Sequence, residues 1–135
     1  MQTIDLTTTF VPTYRNHGQA AEQLVRFVLT GEVCKADNVP ATVAGDVLDI
    51  QIKSARATVC KGTDLDAYMA LDAAKRYGYV TSDLRKMYLM TPDEWREFVG
   101  MFASATRDSR KNGGKLKLRL KNETRAMREW LSTRA

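Results

Sequence analysis

The chain has one histidine, two cysteines and no long apolar run, and each scarcity removes a class of function. A closed zinc site draws about four Cys or His ligands at short spacings. Cys34, Cys60 and His17 cannot supply that set. In a reducing compartment no disulfide framework is expected either, and both cysteines read as small buried side chains. Serine–histidine hydrolysis would rest on His17 alone, with no Gly-x-Ser-x-Gly elbow beside it; His17 reads instead as a turn residue at a helix entrance. No stretch reaches 18 apolar residues, so no transmembrane helix is expected. The opening Met1-Gln2-Thr3-Ile4-Asp5 lacks the basic-then-apolar pattern of a signal peptide. The expectation is a cytoplasmic protein with no membrane partner.

What is present fits one globular domain over residues 1–135, with 44% hydrophobic and 27% charged residues. The net charge of +5 is unevenly spread. From Arg107 onward ten basic residues stand against three acidic ones, which puts +7 on this part and leaves −2 on the rest. A basic strand–helix portion over 107–135 on a slightly acidic body suggests a polyanionic partner.

Periodicity gives the elements. Residues 4–10 read as a short strand or extended arm. Residues 19–29 read as a helix whose apolar positions Ala20, Ala21, Leu24, Val25, Phe27 and Val28 follow the 3.6 period, and Gly31 supplies a stop. Residues 33–35 form a candidate strand. Residues 46–53, Asp-Val-Leu-Asp-Ile-Gln-Ile-Lys, read as one strand with Leu48, Ile50 and Ile52 to one side and Asp49, Gln51 and Lys53 to the other. Residues 55–60 continue this strand or return beside it. Thr63-Asp64 can cap a helix over 65–76. Residues 77–81 and 86–91 read as strands joined by a turn at Ser82-Asp83. Thr91-Pro92-Asp93-Glu94 opens the next helix with a capping box and Pro at its first position. Asn112-Gly113-Gly114 breaks the chain, residues 115–120 alternate basic and apolar as a half-buried strand, and a last helix covers 123–131. The two tryptophans and the tyrosines read as core residues. This order predicts an α+β (mixed α/β) fold, a central mixed sheet flanked by helices.

A strand with Gln51 and Lys53 on one face and Ile50 and Ile52 on the other resembles the active strand of the PD-(D/E)XK nuclease superfamily. That signature is an acidic residue, a spacer, then an acid or Gln two positions before Lys. Gln51-Ile52-Lys53 matches its second half, with the variant Gln. The stretch from Gly18 to Glu22, opening an amphipathic helix, resembles the element whose Glu reaches the metal, and a later helix and strand at 86–90 fit the usual core order. The resemblance covers about residues 18–99. It implies a restriction-endonuclease-like core and a Mg2+-dependent DNA endonuclease, with Mn2+ as substitute, of a phage or restriction type acting on double-stranded DNA, and is compatible with a homodimer.

The implied metal ligands are Asp37 or Asp46, Gln51, the Ile52 carbonyl and Glu22, with Lys53 orienting water or offsetting charge. Gln51 offers an oxygen without a charge, so affinity leans on the carboxylates. On one extended strand Asp46 would lie about 16 Å from Gln51 at about 3.3 Å per residue, so Asp46 serves only if the chain turns near Leu48-Asp49. A hairpin turning at Ala44-Gly45 would instead set Asp37 opposite Gln51, at about 5 Å between Cβ atoms. Both alternatives stand, and Asp49 reads as a surface neighbour. For DNA, Lys115, Lys117, Arg119 and Lys121 fall on one strand face, and Arg56 follows the motif strand. The competing readings are a catalytically inactive nucleic-acid-binding module on the same fold and a small basic interaction protein.

Overall fold

The computed structural model describes residues 1–33, 46–47, 50–62, 76–107 and 116–135. Their elements, in order, are β1 (Gln2–Asp5), α1 (His17–Thr30), β2 (Asp46–Val47), β3 (Ile50–Ser54), β4 (Thr58–Gly62), β5 (Arg76–Val80), β6 (Lys86–Met90), α2 (Pro92–Phe102), β7 (Ala103–Arg107), β8 (Leu116–Leu120) and α3 (Arg125–Arg134). The fold is α+β with a mixed sheet at its centre. Among the described residues no helix is long and apolar enough to cross a membrane.

The helices begin and end where local chemistry requires. Asn16 accepts the Gln19 amide at 3.2 Å and caps α1, while Gly31 closes it in the left-handed region at φ 75°, where a Cβ is penalised. Thr91 and Glu94 form the expected reciprocal capping box on α2. Thr124 caps α3 by accepting the Met127 amide.

Five strands form one sheet in the order β1-β6-β5-β3-β2. β3 and β5 run parallel, with Gln51 beside Tyr77 and Lys53 beside Tyr79; the other pairs are antiparallel. Strand alternation divides the core in two. On one face Ile50, Ile52, Val80, Met87 and Leu89 pack with Ala21, Leu24 and Val25 of α1. On the other, Tyr77, Tyr79, Tyr88 and Met90 pack with Trp95, Phe98 and Val99 of α2 and Met127 and Leu131 of α3. Trp95 is buried as expected, and Trp130 packs against the same cluster from a half-buried position.

Several expectations are corrected. The strand read over 46–53 is two strands: β2 pairs antiparallel with β3, so the chain reverses between residues 47 and 50. Alternation over 48–53 does not reveal this, because it reports which face is buried and not which segment pairs. The first strand covers Gln2–Asp5 and stops before Leu6, where the Asp5 carboxylate accepts the Thr7 amide and turns the chain. Val33 lies outside any strand. Residues 58–62 neither extend β3 nor return beside it; they join a separate sheet, β4-β8-β7. β7 follows α2 directly and carries Ser104 and Thr106 among small residues, a weak strand signal. The helix expected over 65–76 lies outside the described residues except for Arg76, which opens β5.

Gly78 shows how tightly the centre is filled. A Cβ there would meet Met87 Sδ at 2.6 Å and Ile50 Cγ2 at 3.2 Å, and Met87 is fully buried. Gly78→Val should therefore destabilise the protein by about 1–3 kcal/mol through overpacking, read as a lowered midpoint in urea with an unchanged slope.

Candidate functional site

The β2–β3 hairpin brings the motif together. In the antiparallel ladder Asp46 is the direct partner of Gln51, and Val47 of Ile50, an arrangement that sets paired Cα atoms about 4.5–5.5 Å apart. Lys53 follows two positions along the same strand, on the same face as Gln51. Asp37 and residues 48 and 49 lie outside the described residues, as does Lys115.

Ile50 and Ile52, almost fully buried against α1, fix the rotation of β3. Gln51 and Lys53 are therefore half-buried on the other face. The Lys53 ammonium donates to the Thr58 carbonyl at 3.0 Å, across the turn that joins β3 to β4. Glu22 is half-buried on α1, which packs against both β2 and β3. That helix covers the Ile50 and Ile52 face of the sheet, opposite the face that carries Gln51 and Lys53, so the structure does not bring Glu22 together with them. Among the described residues no group of three or more His, Cys, Asp or Glu side chains is placed to hold a metal.

The turn itself is unusual. Ala57 N–H bonds the Ser54 carbonyl at 3.1 Å, and Arg56, third in that four-residue turn, takes φ 64°, a value that L side chains rarely adopt. Its carbonyl accepts the Arg119 Nε–H at 2.6 Å. The strip expected on β8 is partly visible: Lys117 is half-buried, Arg119 and Lys121 are exposed, and Leu120 between them is buried. On the ladder Lys117 is paired with Lys61 of β4 and Thr106 of β7, and Arg119 with Thr58 and Ser104.

Where β3, β5 and β8 end, a cavity of about 390 Å³ is lined by His17, Ala55, Arg56, Ser82, Asn122 and Glu123. His17 is placed by its Nε2, 3.0 Å from the Ser82 carbonyl; a carbonyl only accepts, so this nitrogen carries the proton. Glu123 accepts the Tyr79 hydroxyl at 2.8 Å and the Ser82 amide at 3.2 Å. Burial and the Glu123 carboxylate beside it hold the Tyr79 phenol far above its ordinary pKa, so Tyr79 is a fixed donor. Comparison of the chain with protein-family models, with characterised proteins and with solved structures found no match.

Removing Glu123 would strand that buried hydroxyl, and an unsatisfied buried donor costs about 1–3 kcal/mol. Glu123→Ala should lose stability in this range, and the added change Tyr79→Phe should recover part of it. A double variant as unstable as the sum of the singles, measured by urea unfolding, would show that the bond is not the cause.

Proposed function

We propose that the chain is a divalent-metal-dependent nuclease that hydrolyses phosphodiester bonds in DNA at the β2–β3 hairpin. The observation that carries this reading is the ladder pairing of Asp46 with Gln51, with Lys53 two residues further on β3. The resemblance seen in sequence requires an acid beside the Gln-x-Lys strand, and the hairpin meets that requirement.

The donor set suits magnesium, which keeps several waters and is commonly held by only one or two carboxylates. Asp46 would supply the charge, and Gln51 and the Ile52 carbonyl neutral oxygens. When bound, Mg2+ or Mn2+ supplies a Lewis acid for the phosphate oxygen and an acidified water. Lys53, tethered at Thr58, holds a positive charge at a defined place, where it orients the attacking water or offsets the charge of the transition state. Lys117, Arg119 and Lys121, with Arg56 at the turn, would hold the DNA backbone without reading its sequence.

The deciding experiment is incubation of the purified protein with plasmid DNA in magnesium, manganese or EDTA. Cleavage should require the metal, and Lys53→Ala should abolish it while DNA binding and the unfolding midpoint stay close to wild type. A clean mobility shift without cleavage in either metal would make the chain a binding module instead. In calorimetry Asp46→Asn should weaken manganese binding markedly, and Gln51→Glu should tighten it by adding a charge to the ligand set. Undiminished binding in Asp46→Asn would remove Asp46 from the site.

Substrate holding has its own measure. Each phosphate contact contributes about one unit to the salt dependence of log K. Lys117→Gln together with Lys121→Gln should lower that slope by about two for any DNA sequence, with manganese affinity unchanged. A wild-type slope would mean that these charges only face solvent.

A further inference from the structure

We infer that Arg119 is a positioning residue for Lys53, acting through the β3–β4 turn. This rests on the hydrolytic role proposed for Lys53, but the coupling itself can be read without catalysis.

The turn over residues 54–57 is fastened almost entirely from β8. Leu120 N–H bonds the Ala57 carbonyl at 2.9 Å, and the Arg56 N–H reaches the Lys121 carbonyl at 3.4 Å. Arg119 Nε closes the set on the Arg56 carbonyl at 2.6 Å, the shortest of the three and the one made by a side chain. Arg56 needs such a hold, because its left-handed backbone is unfavourable for a residue with a Cβ. Two residues further on, the Thr58 carbonyl receives the Lys53 ammonium, and Thr58 is itself the ladder partner of Arg119. Arg119 therefore bonds the start of the short path, at the Arg56 carbonyl, and stands opposite its end, as the ladder partner of Thr58.

Arg119 is exposed, and its bond to the turn uses only Nε. A guanidinium carries five donors in a rigid fork, so the rest can meet phosphate while Nε keeps the turn in place. Lysine offers one ammonium on a flexible stem and cannot divide the two tasks in this way.

The test compares Arg119→Lys and Arg119→Met with wild type in two measurements. In plasmid cleavage with magnesium, both variants should lose about tenfold in kcat; KM should stay within about twofold for Arg119→Lys, which keeps the charge. In spectra of protein carrying 13C-labelled lysine, the Lys53 signal, assigned by its loss in Lys53→Ala, should shift in both variants. Adding Arg56→Gly to Arg119→Met should return that signal toward its wild-type position, because glycine adopts the left-handed turn unaided. A Lys53 signal unmoved in both variants, or a KM effect with kcat intact, would overturn the positioning role. If wild type fails to cleave in magnesium and manganese, the hydrolytic reading falls, while the lysine spectra still decide whether Arg119 governs the turn.

Discussion

The parallel pairing of β3 with β5 is the constraint on which the remainder of this structure hangs. A parallel pair cannot be closed by a tight turn, so the chain between Ser54 and Arg76 must leave the sheet and come back. On that excursion it lays down β4, and β4 is where β8 attaches. The second sheet is thus a by-product of the crossover. Both strands are also enclosed on two sides: β5 turns Tyr77 and Tyr79 toward α2 and α3, and Gly78 and Val80 toward α1. A strand so placed has no freedom to slip, since a shift by one residue would push tyrosines into the space that Gly78 leaves for Met87.

This rigidity explains how a polar side chain can be set reliably on β3. Ile50 and Ile52 are fixed by α1, so Gln51 and Lys53 have no choice of face. Among the described residues, β2 pairs with β3 at Asp46–Gln51 and Val47–Ile50. A metal bridging the two would favour the closed hairpin by mass action, in proportion to its affinity for that state.

Much of this was legible in the residues, and the illegible parts share a cause. The stop of α1 at Gly31 and the cap of α2 were visible because Gly31, Thr91 and Glu94 act on neighbours within four positions. The alternation of Gln51 and Lys53 was visible because burial on one face leaves a period of two. What sequence could not show was pairing. Nothing local in Asp46-Val47-Leu48-Asp49-Ile50 announces a reversal, for the usual Gly or Asn of a two-residue turn is missing. Nothing in Thr58 to Gly62 says that its partner lies some sixty residues away on β8. The choice between Asp37 and Asp46 was left open for the same reason, and register brought Asp46 to Gln51. The bond from Arg119 to the Arg56 carbonyl lay beyond sequence altogether, because it joins residues whose separation carries no period.

The placement of the aromatic residues has an optical consequence. Both tryptophans belong to the cluster between the five-stranded sheet and the helices α2 and α3. Tyr77 stacks on Trp95 with ring centroids 5.4 Å apart and planes 8° from parallel, and Phe98 touches both indoles. The Trp130 Nε1 is buried without a hydrogen-bond partner among the described residues, whereas water would bond it on unfolding. Tryptophan fluorescence is therefore a report from one side of the molecule. Excitation absorbed by Tyr77 passes to the neighbouring indole, and a change in emission marks the loosening of α2 and α3 from the sheet. The side covered by α1, and the hairpin at the sheet's edge, can open or close in the dark.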